Sequence, residues 1–311
     1  MSKAGLLYYL KKPQRIYAFL SKYGLLDWMP DKQYLEMAYR LNNGVKLDID
    51  HPKTFNEKMQ WLKVYDRKPE YTIMVDKYQA KQYVANIIGN DHIIPTLGVW
   101  DSFDEIDFDQ LPEQFVLKCT HDSGGLVICR DKHLLNIENA RKKIEKSLKT
   151  DYYRVGREWP YKNVKRRIIA EKYMEDVTAE VDTFGKKSLI DYKFFCFNGE
   201  PKLLYISTGL ENHPTAKISF YGMDGKEMPF HRRDYAPYHN APIPKAFKEM
   251  SVLARQIAVE VECPFVRIDL YSINEHIYFS EITFSPCGGN IPFEPISADE
   301  ELGEWLELPN K

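Results

Sequence analysis

The chain has 311 residues, 44% of them hydrophobic and 28% charged, with a formal net charge of -2. That length can bury a large core and suits two or three lobes, and the balance excludes a disordered or fibrous chain. The near-neutral charge gives a nucleic-acid partner no bulk electrostatic support, and none is expected.

The opening stretch, "MSKAGLLYYLKKPQRIYAFLSKYGLL", is basic and aromatic but holds no apolar run long enough for a signal peptide or a membrane span. It suits a helix docked on the body of the protein, with loose association to a membrane surface as the alternative. The five cysteines, Cys119, Cys129, Cys196, Cys263 and Cys287, are odd in number and lack C-x-x-C spacing. They argue against a disulfide framework or a zinc site and point to a reducing cytoplasm.

Residues 1–75 read mostly helical. In "HPKTFNEKMQWLKVYD", Phe55, Met59, Trp61 and Leu62 form an apolar stripe behind Thr54, a fitting N-cap. "DKYQAKQYVANIIG", Asp76 to Gly89, reads as a second helix with a glycine stop, and Lys77 at its start. "HIIPTLGVW" enters a new unit as a strand. "QFVLKCT" and "GGLVICRDK" read as two strands joined by a mobile, glycine-rich tip. "NIENARKKIEKSLKT" is a charged surface helix, and "KRRIIAEKYM" a strand buried at its centre. "DYKFFCFNGEPKLLYIST" is a hairpin turning at Asn198-Gly199. Residues 243–261 read as a helix, and "FVRIDLYSINEHIYFSEITF" as a second long hairpin turning near Asn274. Helices followed by strand pairs make an α+β chain with antiparallel sheets, not a Rossmann alternation.

Chemistry gathers at three places. Period-two alternation puts Arg267 and Asp269 on one strand face, and Glu281 and Thr283 on one face of the returning strand. With an even register all four share a face, and two carboxylates so placed suit a Mg²⁺ that also holds phosphates. A solvated face with Arg267 paired to Asp269 satisfies the same pattern. Lys118 stands before the loop "THDSGG", and Lys77 before a helix. Lysine is a compact charge for phosphate oxygens, and glycines let backbone N–H groups come close to them. The loop matches neither a Walker A motif nor a G-x-G-x-x-G fingerprint. "IIAEKYM" could end in a hinge that reads an adenine through its backbone, with a carboxylate for ribose hydroxyls.

Taken in order, "DK" at 76–77, "FVLKCTHDSGG", "IIAEKYM", "DYKFFCFNGE" and "RIDLY…FSEITFSPCGG" resemble the ATP-grasp superfamily. Within it the chain resembles the TupA-like branch, named for teichuronopeptide synthesis, over residues 35–290. The resemblance implies an ATP-grasp fold, in which two α+β lobes with antiparallel sheets clasp ATP behind a helical N-terminal region. The matching division is a helical region 1–90, a lobe with a glycine-rich lid 91–174, and a lobe with metal and substrate site 175–311.

Position by position, the resemblance implies that Lys77 and Lys118 contact ATP phosphates. Ser123, Gly124 and Gly125 would form a flexible lid over them. Glu171, Lys172, Tyr173 and Met174 would form the adenine hinge, with the backbone of Lys172 and Met174 meeting the base. Asp269 and Glu281 would hold Mg²⁺, and Arg267 would steady an acyl phosphate and the intermediate after it. Thr283 stands where many ATP-grasp ligases carry asparagine. It is a weaker neutral ligand, which leaves a second Mg²⁺ dependent on Ser285 or water.

The implied reaction is an ADP-forming carboxylate–amine ligation. The implied acid is a uronic acid of a bacterial surface polysaccharide, capsule or cell wall, or its precursor. The amine is an amino acid or a small amino alcohol. Segments "STGLENHPTAKISFYGMDG" and "PFHRRDYAPYHNAPIP" offer substrate-facing groups: Arg232 and Arg233 for an anion, His231, Tyr238 and His239 for a sugar. Lys193 and His121 are further candidates, although His121 could equally stabilise a turn. "REWPYKN", residues 157–163, is an aromatic candidate near the hinge. The rivals are a glycosyltransferase, a phosphotransferase acting on a hydroxyl, and a non-catalytic nucleotide-binding module. "DID" at 48–50 and "DFD" at 107–109 are the D-x-D matches and adjoin no evident sugar-nucleotide fold, and the full set of charged residues argues against a non-catalytic module.

Overall fold

The computed structural model describes residues 12–177, 188–210 and 215–309. Residues 1–11 of the basic N-terminal stretch, and residues 211–214 of the first substrate-facing segment, lie outside the described residues. Helices come first: α1 (Pro13–Lys22), α2 (Asp31–Asn43), α3 (Phe55–Tyr65), α4 (Tyr71–Val75) and α5 (Gln79–Ile88). A first unit follows, with β1 (Thr96–Trp100), β2 (Phe115–Cys119), β3 (Leu126–Cys129), α6 (Ile137–Leu148), α7 (Tyr152–Gly156) and β4 (Ile168–Lys172). The second holds β5 (Asp191–Phe197), β6 (Glu200–Thr208), β7 (Lys217–Gly222), β8 (His231–Arg232), α8 (Phe247–Val261), β9 (Phe265–Ile273), β10 (His276–Thr283), β11 (Phe293–Glu294) and α9 (Ser297–Trp305).

The first sheet runs β1-β4-β2-β3 and the second β10-β9-β5-β6-β7, with neighbouring strands antiparallel. Local chemistry sets the elements. Thr54 and Glu57 close a capping box at the start of α3. Gly89, with φ of 96°, ends α5. Asn198 and Gly199 turn the β5–β6 hairpin with φ of 49° and 83°, the left-handed pair a two-residue turn requires.

Each sheet has one greasy face and one mixed face. On the first, Phe115, Leu117, Ile168 and Ala170 pack with Ala140 and Ile144 of α6. The register then leaves Val116, Lys118, Ile169 and Glu171 together on the other face. On the second, Tyr192, Phe194, Ile268 and Leu270 pack beneath Met250, Ala254 and Ile257 of α8. The opposite face is covered at one end by α3 and α9, where the Phe55 ring meets Phe265 at 4.9 Å. The rest of that face belongs to Asp191, Lys193, Arg267 and Asp269.

The contact between α9 and α3 depends on Gly303. A Cβ there would strike the Lys53 carbonyl and stand 2.9 Å from the Thr54 Cα, both backbone atoms that cannot rotate away. Gly303→Ala is expected to cost about 1–3 kcal/mol, the usual range for overpacking. A thermal melt checks this, with an unchanged midpoint as the contrary result.

Candidate active site

The two mixed faces look into one cleft. Its cavity of about 240 Å³ is lined by Val116, Lys118, Leu126 and Ile128 from the first sheet and by Asp191 and Tyr271 from the second. Residues 171–176, running out of β4, close its edge. The wall beside the first sheet carries a buried triad of charges. Glu171 meets Lys118 at 2.6 Å and Lys81 at 2.5 Å. Burial alone would raise the Glu171 carboxyl, but the two ammonium groups outweigh it and hold it at about 2. Burial also works against the charge on Lys118, and Glu171, Glu281 and Asp191 together more than offset it, so its pKa is raised. The expected ribose carboxylate is therefore engaged elsewhere if it is Glu171: this acid holds lysines.

The floor is a denser network. Glu281 pairs with Asp269 and Thr283 with Arg267 across β10 and β9. The shared face holds, and a bulge makes it possible. Phe279 faces Leu270 and Glu281 faces Asp269, so Ser280 is an extra residue that turns Glu281 out of the apolar face. Arg267 binds Asp269 through Nε (2.6 Å) and Nη2 (2.7 Å), and reaches Glu281 at 2.8 Å and Thr283 Oγ1 at 3.0 Å. Lys193 sits opposite Asp269 and bridges it to Asp191 at 2.9 and 3.0 Å. Burial pushes the Glu281 carboxyl up, while Arg267, Lys77 and Lys193 outweigh it and bring it to about 2. The charges converge and Arg267 is paired with Asp269, but on a buried face and not the solvated one that the pairing alone would suggest.

Asp269 is fully buried, and its oxygens are already taken by Arg267 and Lys193. The Glu281 side chain is 35% exposed and is the more accessible carboxylate. Among the described residues no three acidic, histidine or cysteine side chains form a metal cage. Two facing carboxylates and a hydroxyl nevertheless fit a hard cation that takes its other ligands from phosphate oxygens.

The loop 120–125 differs from the flexible lid expected of it. Only Ser123 and Gly124 are exposed. Asp122 accepts hydrogen bonds from the Gly125 N–H at 3.1 Å and from the Ser147 hydroxyl, and its carbonyl accepts from Lys77 Nζ. Ser123 Oγ meets the Tyr152 hydroxyl at 3.2 Å. Gly125 serves close packing, since a Cβ there would stand 2.5 Å from Ser147 Oγ and 2.6 Å from Cys119 Sγ. His121 is buried, with Nε2 at 3.2 Å from the carbonyls of Ser147 and Thr150, so it anchors the turn. Lys77 precedes α5, which begins at Gln79, and its backbone N–H bonds the Thr120 carbonyl at 3.0 Å.

Other candidates fall in different places. Lys193 lies within the charged network, bonded to Asp191 and Asp269. Arg232 is buried and bound to Asp234 at 2.6 and 2.9 Å, with Tyr205 and Cys287 also in reach at 3.2 and 3.0 Å. Arg233 is exposed. His231 stands 3.7 Å from Glu294. Tyr238 and His239 line a separate groove of about 820 Å³ with Tyr192 and Lys245. Residues 157–163 are divided: Arg157, Lys162 and Asn163 line a separate groove with Asp27 and Asp31, whereas Glu158 and Tyr161 are within electrostatic reach of Arg267. Sequence reasoning missed Lys81, Asp191, Tyr271 and Glu158. Lys81 lies one helical turn beyond Lys77, and Asp191 and Tyr271 continue the alternation of Lys193 and Asp269.

The model of the TupA-like ATP-grasp family matches residues 57–307. The chain belongs to this family. Its fold is accordingly ATP-grasp, α+β with antiparallel sheets behind a helical N-terminal region. No curated protein matches the sequence. Among solved structures, a D-alanine–D-alanine ligase from Bacillus anthracis complexed with ATP is 16% identical over 68% of this chain and 54% of that one, with a TM-score of 0.37. This TupA-like chain thus spans about half of that ligase. The Helicobacter pylori D-alanine–D-alanine ligase is 13% identical over 81% and 69%, with a TM-score of 0.41. The ATP-grasp ligase PsnB, complexed with a precursor variant, Mg and ADP, is 8% identical over 79% and 64%, with a TM-score of 0.42. Among the described residues of the TupA-like chain no helix is long and apolar enough to cross a membrane.

The charged triad carries an acid-stability expectation. Glu171 is depressed from an ordinary 4.5 to about 2. Its stabilising contribution is present in full above about pH 4.5 and is lost as pH falls toward 2. Thermal midpoints of the wild type should fall through that window, and those of Glu171→Gln should fall less steeply. Parallel curves would contradict the assignment.

Proposed function

We propose that the chain is an ATP-dependent carboxylate–amine ligase that forms an amide through an acyl phosphate and releases ADP. The observation that supports this most is the cleft itself, with Lys118 and Glu171 on one wall and Asp191, on the strand face that continues into the Arg267–Asp269–Glu281 network, on the other. The residue roles we propose are those the resemblance implies. The backbone of Lys172 and Met174, with Tyr173 beside them, would hold the adenine, and Lys118 and Lys77 the phosphates. Glu281, Asp269 and Thr283 would hold Mg²⁺, which supplies charge neutralisation at the transferred phosphoryl group. Ser123 and Gly124, the exposed tip of the loop that Gly125 anchors, would cover the phosphates, and excluding water protects an acyl phosphate from hydrolysis.

In the first step a carboxylate oxygen attacks the γ-phosphorus, and the bond to the ADP oxygen breaks. Such a transfer needs positioning and charge more than covalent help, which accounts for lysines and an arginine without a nucleophilic triad. In the second step Arg267 faces the oxyanion that develops as an amine adds. The acid we propose is a uronic-acid carboxylate of a surface polysaccharide or its precursor, on the resemblance set out above. The proposed lobes are residues 91–174 and 175–311, behind a helical region 1–90, with reaction in the cytoplasm.

Incubation with ATP, Mg²⁺ and pools of uronic acids and amines tests the reading by the nucleotide product. ADP with a new amide is expected. ADP with a phosphorylated hydroxyl would make the chain a phosphotransferase, and UDP released from a UDP-sugar a glycosyltransferase; either overturns the reading.

A further inference from the structure

One buried acid lies within electrostatic reach of Arg267, outside the network already described. Glu158 precedes the 3₁₀ turn Trp159–Tyr161 and is 7% exposed. Among the described residues its carboxylate makes no hydrogen bond and no ion pair. Gly156 makes room for it, and Gly288 lies alongside. A Cβ at Gly156 would stand 2.7 Å from Glu158 Oε1, and one at Gly288 4.0 Å from it. The ammonium that acts on it most strongly, Lys63, donates its hydrogen bonds to other groups, at 2.8 Å to Gln60 Oε1 and at 2.8 Å to the Gly288 carbonyl. Burial pushes the Glu158 carboxyl up to about 7, against the charges of Lys63 and Arg267.

The surroundings tie this acid to the reacting end. Tyr152 and Tyr161 stack edge to face at 4.8 Å, and both feel the charges of Glu158 and Glu281. The Tyr152 hydroxyl also touches Ser123 at the tip of the loop. A buried carboxylate that makes no hydrogen bond is unfavourable in the folded protein even with Lys63 and Arg267 within electrostatic reach. A bound cation that can donate hydrogen bonds would relieve it.

We propose that Glu158 receives the incoming amine: its carboxylate binds the substrate's ammonium group and takes one of its protons. This rests on the ligase reading. The ammonium loses a proton to Glu158 and becomes a neutral amine. Its lone pair forms the C–N bond to the acyl carbon, and the C–O bond to phosphate breaks with its electron pair. The nitrogen's surplus proton leaves with the phosphate as hydrogen phosphate, and Glu158 releases its own proton to solvent. The ligand class is a primary amine presented beside the two tyrosines.

The test is a titration of the full chain with methylammonium chloride in the presence of Mg-ADP, followed by thermal shift and calorimetry. Tetramethylammonium chloride is the control, since it can neither donate a hydrogen bond nor lose a proton. Wild type is expected to bind methylammonium saturably and to ignore tetramethylammonium. Glu158→Gln should bind methylammonium at least about tenfold more weakly, the scale of a hydrogen bond to a charged group. Its melting point should stay close to that of the wild type, because Lys63 keeps its hydrogen bonds to Gln60 and Gly288. Glu158→Asp keeps the charge and should retain part of the binding, which guards against a folding defect in the glutamine variant. Equal methylammonium binding by wild type and Glu158→Gln, equal binding of the two cations, or no binding at all overturns the proposal. Mg-ADP affinity should be the same in all variants; its loss in every variant would be a failure of the ligase reading instead.

Discussion

Replacing Lys118 with methionine is expected to weaken Mg-ATP binding by about ten- to a hundredfold and to stop turnover. Lys118 is on the cleft face of β2, and its ammonium is held by Glu171 at 2.6 Å. A charge-assisted hydrogen bond contributes about 1.5–3 kcal/mol, which converts to that range of affinity. The fold should survive. Methionine keeps most of the stem, and Glu171 retains Lys81 at 2.5 Å, so no carboxylate is stranded. Calorimetry with Mg-ATP reads the affinity and a thermal melt reads the fold. An unchanged dissociation constant would remove Lys118 from the phosphate site.

Loss of Arg267 has the second large expected effect, and here stability and chemistry must be separated. Arg267→Met should lower stability by about 3–5 kcal/mol, the cost of breaking a buried ion pair from one side. The reason is Asp269, which is fully buried and would keep only Lys193. The double variant Arg267→Met with Asp269→Asn removes the stranded charge and should recover much of that loss. It should not recover turnover. Arg267→Lys keeps a charge but loses the two-pronged contact, and its kcat should fall about 10²–10³-fold, the scale of losing one donor to a developing oxyanion. Mg-ATP binding by Arg267→Lys should change only a few fold, because the charge it meets develops mainly in the transition state. If kcat were unchanged while ATP affinity fell, Arg267 would be a nucleotide ligand and not a stabiliser of the reacting group.

Much of the architecture was legible because it follows from local chemistry. Thr54 and Glu57 announce the start of α3, and Asn198-Gly199 the first long hairpin. Arg267 and Asp269 alternate with Ile268 and Leu270 as a half-buried strand must. What the sequence hid lies in tertiary contacts. The even register of β9 and β10 depends on the bulge at Ser280, and nothing in "YFSEITF" marks that residue as the extra one. Lys81 reads as a helix-surface lysine until β4 brings Glu171 against it. The glycines of "DSGG" suggest motion, yet Gly125 is there because Ser147 and Cys119 leave no space for a side chain. His121 could have been a ligand or an anchor from its neighbours in sequence alone. The two carbonyls that decide the matter come from the end of α6 and the turn after it.

The central claim is that the cleft activates a carboxylate as an acyl phosphate. Lys118 lines the cavity that the 171–176 segment edges, and Glu281 lies within electrostatic reach of Lys118, Lys77 and Arg267, so on the proposed reading charge stabilisation is aimed at the bond between the β- and γ-phosphates. The most direct measurement is a turnover with a uronic acid labelled with ¹⁸O in its carboxylate, supplied with amines, ATP and Mg²⁺. The account predicts ADP as the nucleotide product and ¹⁸O transferred from the acid into inorganic phosphate. AMP and pyrophosphate as products, or amide formed with unlabelled phosphate, would contradict it.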